Sequence, residues 1–185
     1  DYSQLPYRFD FGFNVWCVVF KYIDKEGSPV KTLVKGEATK KSVQEALRDC
    51  TEIIAHNGVG FDLPVLSLLG LLDYRVGYPG ESSTVFGRPV IITDTLLWSK
   101  LLNADRFGGH SLAAWGKYLG NYKEHFTAFH EYSEEMLTYC IQDTAVTESV
   151  YNELQREKGQ HRWDRAYSME VKLADLTLRQ ELFGF

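Results

Sequence analysis

Residues 51–66 read "TEIIAHNGVGFDLPVL" and combine an apolar run, a turn with two glycines and the start of a second apolar run. The β-branched segment "EIIAH" predicts a buried strand. The following "DLPVLSLLGLL" predicts a helix that begins at Asp62, because Pro64 then falls in the first turn, where proline is tolerated. Asp62 thus stands at a junction between a strand and a helix. An Asp in this place is either a helix cap or a ligand for a bound group, and the stretch by itself leaves both interpretations open.

Strands and helices alternate along the first hundred residues, and helices follow. The segments "VWCVVFKYI" (15–23) and "VKTLVKG" (30–36) predict an antiparallel hairpin. Further elements are a helix in 40–50, a buried strand in 89–94, and helices in 95–102, 110–120, 133–157 and 162–184. The segment 77–88 is rich in Gly and Ser and predicts a loop. This order indicates an α/β fold with a central mixed β-sheet flanked by α-helices.

Length and charge limit the classes of function. The chain has 185 residues, 44% of them hydrophobic, which suits one domain with a full core. It has no run of about eighteen apolar residues and no signal-peptide pattern, so we expect a soluble protein of the cytoplasm with no membrane partner. The net charge of −5 argues against binding nucleic acid by a broad basic surface. It is compatible with an enzyme that holds a strand end through metal ions.

The three cysteines are widely spaced and lie in apolar surroundings. Cys17, Cys50 and Cys140 are odd in number and lack the spacing of a zinc site. We therefore expect reduced, buried thiols.

Two further acids lie where an element begins or along a helix. Asp94 ends a predicted strand and precedes helix 95–102, which favours a cap that accepts hydrogen bonds from first-turn amides. Asp143 follows Tyr139 by four residues, so both side chains share one helical face, one turn apart. The simpler interpretation of this pair is an exposed acid beside a half-buried tyrosine. The alternative is that Asp143 binds a divalent metal and the Tyr139 phenol reaches the water that the metal activates.

The second interpretation has a definite chemistry. Hard oxygen ligands select Mg²⁺ or Mn²⁺, and two such ions about 3.5–4 Å apart support both the attacking and leaving oxygens of a phosphodiester. Such a site needs several carboxylates from different elements, and Asp62 and Asp143 would supply two. Beside Asp62, two glycines allow the backbone to approach a ligand, and Asn57 offers an acceptor and a donor.

The order of motifs resembles a known superfamily. "HNGVGFD" (56–62), followed about eighty residues later by "YCIQD" (139–143), resembles the second and third exonuclease motifs of the DEDD superfamily, in the subclass with Tyr four residues before Asp. In particular, three segments resemble the 3′ to 5′ proofreading domain of phage replicative family A DNA polymerases: 93–102, 106–120 and 134–154. The closing "RQELFGF" resembles the junction with a polymerase domain. The resemblance covers residues 15–185.

The resemblance implies a ribonuclease-H-like fold and a 3′ to 5′ exodeoxyribonuclease that removes the terminal nucleotide of single-stranded or frayed DNA. It implies two ions, Mg²⁺ or Mn²⁺, and two partners: a DNA 3′ end and a polymerase domain in cis or in trans. Residues 1–185 are then expected to be a single exonuclease-like domain, cut from a longer polymerase chain. If a phage encodes it, the location is the host cytoplasm.

Carried over by position, the resemblance assigns roles to individual side chains. Asp62 and Asp143 would be catalytic metal ligands, and Tyr139 would orient the attacking water. Asn57 and His56 would lie near the terminal nucleotide.

Three more residues are candidates for substrate binding. Phe61, beside Asp62, either packs in the core, which we favour, or stacks on a base. His110 and Ser111 open a helix on the expected substrate side, where capping and packing are favoured over contact with DNA.

The first motif of the superfamily, Asp-x-Glu, is not found before residue 50. The candidates begin at Asp1 and Asp10, where Ser3 and Gly12 replace the Glu. Asp1 is the remaining candidate metal ligand. Either the motif lies upstream of Asp1, or it has been lost and the domain keeps the fold without cutting.

Three hypotheses follow. The first is a proofreading exonuclease domain. The second is a catalytically impaired module that stabilises a polymerase or guides its DNA strand. The third is a separate DEDD nuclease that acts on RNA, against which the polymerase-like character of 94–158 argues.

Overall fold

The structure, a computed structural model, describes residues 15–23, 25–77, 80–121, 126–160 and 162–184. The strands are β1 (Cys17–Lys21), β2 (Val30–Val34), β3 (Glu52–Ala55), β4 (Tyr74–Arg75), β5 (Ser83–Val85) and β6 (Arg88–Asp94). The helices are α1 (Lys40–Ala46), α2 (Asp62–Leu68), α3 (Thr95–Leu102), α4 (Leu112–Tyr118), α5 (Glu134–Lys158) and α6 (Asp164–Phe183). All the helices predicted from the sequence are present, and each strand prediction is confirmed.

The strands form two sheets within the described residues. β1 and β2 are an antiparallel hairpin in which Cys17 lies opposite Val34. The other four strands lie in the order β3-β6-β5-β4, with β3 parallel to β6 and the remaining pairs antiparallel. The predicted α/β class with a mixed sheet flanked by helices is confirmed, and the architecture is consistent with a ribonuclease-H-like fold.

The expectation of a loop in 77–88 is wrong for part of that segment. Ser83–Val85 form β5, which turns into β6 through Phe86 and Gly87, both with positive φ (48° and 73°). Two consecutive residues of this kind match the turn that suits the twist of a two-residue hairpin. Because Gly and Ser dominate the segment, its composition concealed a three-residue strand.

The hydrophobic core is organised around α5. Its Val146, Val150 and Leu154 recur at helical spacing and are buried. α5 packs against β1, β3, α3 and α4, so this one helix touches both sheets. Its register therefore fixes where Tyr139 and Asp143 lie relative to the strands.

No helix among the described residues has the length and apolar character needed to cross a membrane.

Candidate active site

The turn after β3 is held by a side chain from β6. The backbone amides of Asn57 and Val59 donate to Asp94 Oδ1 and Oδ2, each at 3.0 Å. Asn57 has a positive φ of 64°, a conformation that Asn tolerates better than most residues. The parallel pairing of β3 with β6 places Ala55 opposite Asp94, which brings the carboxylate within reach of the turn.

Asp94 also caps a helix, as the sequence predicted. It is the N-cap of α3 and accepts from the amide of Leu96 at 2.9 Å. The residue is 1% exposed. Burial raises the pKa of its carboxyl, and the backbone donors oppose that rise. The predicted cap is confirmed, and the same carboxylate also shapes the turn that precedes Asp62.

The two glycines of "HNGVG" are required by close contacts inside the turn. A Cβ on Gly58 would lie 2.5 Å from the Ala55 Cβ, and a Cβ on Gly60 would lie 2.6 Å from Asn57 Oδ1. The close approach expected from these glycines is therefore made to neighbouring parts of the chain itself. Both contacts help to fix the path from β3 into α2.

Asp62 is the first residue of α2. The cap position is Phe61, whose side chain makes no capping hydrogen bond, so the interpretation of Asp62 as an N-cap is wrong. Asp62 lines a cleft between β1 and β3 together with Asp143. Asp62 is exposed to solvent on one side. The protein atoms around its carboxylate exclude part of its water, which is the main cause that raises the pKa of Asp62 to about 6; its own backbone amide opposes this, and the carboxylates of Asp94 and Asp143 add to it.

Asp143 and Tyr139 lie one turn apart on α5, as the spacing predicted. Asp143 is half-buried and lines the same cleft as Asp62, so carboxylates from two different elements face one cleft. The charge of Asp143 contributes to the raised pKa of Asp62. Tyr139 is also half-buried and packs against Phe126 and Phe129, with ring centroids 5.5 and 6.0 Å away. The aromatic packing restricts the orientation of the Tyr139 ring.

The donor set suits a hard divalent cation but is incomplete in the described part of the chain. Two carboxylates that repel each other gain from a shared cation, and oxygen ligands fit Mg²⁺ or Mn²⁺. Within the described ranges, no three His, Cys, Asp or Glu side chains converge as a metal-binding group. Asp1, the remaining candidate ligand, lies outside the described residues, as do Ser3, Asp10 and Gly12.

Two of the predicted substrate residues line the same cleft. His56 and Phe61 both border it, and His56 Nδ1 lies 2.9 Å from Thr95 Oγ1. Phe61 is 61% exposed, so the expectation that it packs in the core is wrong. An exposed aromatic ring beside an acidic pair is suited to stacking on a base.

His110 and Ser111 are engaged within the protein. Ser111 is the N-cap of α4 and accepts from the Ala114 amide at 3.1 Å. His110 Nδ1 bonds with Ser99 Oγ at 2.8 Å, and Nε2 lies 3.1 Å from the Ala104 carbonyl oxygen. The favoured interpretation, capping and packing, describes both residues. Contact with DNA stays a prediction for them, as it does for Asn57 and His56.

Tyr167 of α6 supports Asp94, and the sequence did not predict this because the two residues lie 73 positions apart. The Asp94 amide donates to the Tyr167 hydroxyl, which donates in turn to the Ile92 carbonyl at 3.3 Å. The Tyr167 ring stacks on Trp98 with a centroid distance of 4.2 Å. Through Tyr167, α6 thus supports the end of β6. The helical stripe of α6 contains Tyr167, but no local pattern indicates the strand that it touches.

Part of the chain is similar in sequence to phage DNA polymerases. No protein-family model matches the chain. The chain is 32% identical over 134 residues to the DNA-directed DNA polymerase of Escherichia phage T7, and the match covers 57% of this chain and 19% of the relative. The DNA-directed DNA polymerase of Enterobacteria phage T3 matches with the same identity and coverage. The similarity thus spans about a fifth of each curated relative.

Proposed function

We propose that the chain is a 3′ to 5′ exonuclease domain of a phage-type DNA polymerase, which removes the terminal nucleotide from single-stranded or frayed DNA 3′ ends. The observation that carries the proposal is that Asp62 and Asp143 line one cleft, with Tyr139 one turn from Asp143 on α5. Similarity to two phage DNA polymerases supports the choice of DNA as substrate.

Each residue of the site would have a separate role in the reaction. Asp62 and Asp143 would hold Mg²⁺ or Mn²⁺, which when bound supplies Lewis-acid stabilisation of the reacting phosphodiester. Tyr139, fixed by its aromatic neighbours, would orient the attacking water through its hydroxyl. Phe61 would stack on a base of the frayed end, a contact that tolerates any sequence. Asp94 acts as a positioning residue, because it sets the turn from which Phe61 and Asp62 project.

The acidic character of the chain fits this substrate. A net charge of −5 gives little attraction for the phosphates of a long duplex. Binding would therefore depend on base stacking and on cations held by the acidic pair. Base stacking favours an unpaired end, whose bases are accessible, over a base-paired duplex.

The test is release of mononucleotides from a 5′-labelled single-stranded DNA by the full chain, with Mn²⁺ or Mg²⁺. We expect metal-dependent release that Asp143→Ala abolishes, while Asp105→Ala, which removes an exposed carboxylate away from the cleft, leaves it unchanged. Undiminished release by Asp143→Ala, or release in excess chelator, would overturn the proposal. An RNA strand of the same sequence separates the DNA nuclease from an RNA nuclease.

A second function has its own observation in support. A two-ion site needs about three or four carboxylates. Within the described residues, no three His, Cys, Asp or Glu side chains form a group that could hold a metal ion. The same fold would then be a non-catalytic module that stabilises a polymerase or guides its strand. Two measurements distinguish these functions. In calorimetry, the exonuclease requires Mn²⁺ binding that Asp62→Asn weakens. In the assay with labelled DNA, the non-catalytic module predicts no metal-dependent release of nucleotides.

A further inference from the structure

Two cysteine sulfurs from distant parts of the chain lie in contact where β1 meets α5. Cys17 Sγ lies 3.3 Å from Cys140 Sγ, although the two residues are 123 positions apart in sequence. Cys17 is the first residue of β1, and Cys140 lies near the start of α5. The contact is therefore a product of the tertiary fold.

The register of β1 on α5 fixes this contact. At the other end of β1, Lys21 pairs with Glu148 of α5 at 2.5 Å. The strand from Cys17 to Lys21 spans about 13 Å. The stretch of helix from Cys140 to Glu148 spans about 12 Å. Because the two lengths match, β1 and α5 run side by side in the same direction, with one polar contact at each end of the strand.

The two thiols are placed for oxidation. The sulfur–sulfur distance in a disulfide is about 2.05 Å, so the sulfurs need to approach each other by only about 1.2 Å. Both residues are half-buried, so a small solute can reach them from solvent. A hydrogen bond with Cys140 lowers the pKa of Cys17, and partial burial opposes that change. Since the thiolate is the nucleophile in disulfide chemistry, Cys17 is suited to react first.

We propose that Cys17 and Cys140 are a reversible oxidation site, whose disulfide fastens the β1–β2 hairpin to α5. The oxidant is a low-molecular-weight disulfide. The Cys17 thiolate attacks one sulfur of the oxidant, forms a mixed disulfide and releases the first small thiol. Cys140 then gives up its proton and attacks the Cys17 sulfur, which forms the bond within the chain and releases the second small thiol. The protein loses two electrons and two protons in total, and the oxidant takes them up as it becomes two thiols.

The bond would stabilise the folded chain. It joins residues that are 123 positions apart, and a cross-link that closes a long loop restricts the unfolded chain most. Disulfides inside cells are mostly transient or redox-sensing, which fits a pair that is reduced in the structure and close enough to oxidise. The inference does not depend on the proposed function, because the bond itself is what is measured.

The test is oxidation of the full, folded chain by oxidised glutathione. The remaining thiols are blocked with iodoacetamide, and the peptides are mapped by mass spectrometry. We expect a pair of peptides joined through Cys17 and Cys140, which dithiothreitol separates. The melting temperature of the oxidised chain should exceed that of the reduced chain by about 5–10 °C.

Cys50→Ser is the matched control. It removes the third thiol, whose sulfur lies 3.9 Å from the Ala46 carbonyl oxygen, and should form the same bond with the same shift in melting temperature. Cys140→Ser should lose both and stop at the mixed disulfide between Cys17 and glutathione. Three results would each overturn the proposal. They are no joined peptides from the folded wild type, a bond that forms only in urea, and an oxidised chain that melts no higher than the reduced chain.

Discussion

The carboxylate of Asp94 accepts a hydrogen bond from the amide of Val59 at 3.0 Å, across 35 positions of sequence. Its other oxygen accepts from Asn57 and from the first turn of α3. One buried charge thus ties the end of β6, the start of α3 and the turn before Asp62 into one unit. The geometry of the acidic pair depends on a side chain that, in our proposal, touches neither metal nor substrate.

Asp94→Asn should destabilise the fold. The amide group keeps one acceptor but turns an NH₂ toward a backbone donor, which leaves a buried amide without a partner. We expect the free energy of unfolding to fall by about 2–4 kcal/mol in urea titrations. Asp105→Asn, at an exposed turn, is the matched control and should stay within about 0.5 kcal/mol of the wild type. A loss as small as the control's would show that the Asp94 carboxylate does not hold the turn.

Tyr167→Phe tests the brace from α6. The change keeps the ring that stacks on Trp98 and removes a hydroxyl that bonds to Asp94 N and Ile92 O. Burial raises the pKa of Tyr167, so its hydroxyl is protonated in the folded protein, and the variant removes a neutral hydrogen-bonding group. We expect a loss of about 1–3 kcal/mol. Tyr118→Phe, at a residue that is 68% exposed, should have no measurable effect, and equal losses in both variants would contradict the brace.

Gly58→Ala tests the packing of the turn against its own strand. The added methyl group would lie 2.5 Å from the Ala55 Cβ, a distance at which one of the two must shift. The expected cost is about 1–3 kcal/mol in the free energy of unfolding. In the double variant with Ala55→Gly the clash is removed, so the combined loss should be smaller than the sum of the single losses. Additive losses would mean that the methyl groups do not meet.

Local pattern was sufficient for most of the fold. The strand, turn and helix of 51–66 and the long helix with Tyr139 and Asp143 follow from hydrophobic periodicity and the position of proline, which act over a few residues. The sequence did not predict β4 and β5, which are only two and three residues long, and β5 lies in a Gly- and Ser-rich stretch. A strand that short has too few side chains to show alternation.

The candidate site was less predictable because its supports are long-range. Asp94 was recognised as a cap, a local property, but its bonds to Asn57 and Val59 arise only when β3 and β6 pair. The exposure of Phe61 depends on how α2 leaves the turn. The proximity of Cys17 and Cys140, at 3.3 Å between sulfurs, depends on α5 packing across β1. All three cysteines are thiols, as predicted, but the expectation that they are buried is wrong, because each is half-buried.

Asp62→Asn should change how stability depends on pH in the metal-free protein. The pKa of Asp62 is raised to about 6, first because neighbouring protein atoms exclude part of the water around its carboxylate, and further by the charges of Asp94 and Asp143. The folded chain therefore holds this proton more tightly than the unfolded chain. Its contribution to stability is present below about pH 4 and is lost as the pH rises through about 6.

The variant has no such proton to lose. It should match the wild type near about pH 4 and exceed it above about pH 7, when urea unfolding is measured at both values in excess chelator. Asp105→Asn, carried through the same series, controls for the removal of one negative charge at an exposed position. If the difference between Asp62→Asn and wild type were the same at both values, the repulsion between Asp62 and Asp143 would not be present in the folded protein. The case for a shared cation would then lose its electrostatic basis.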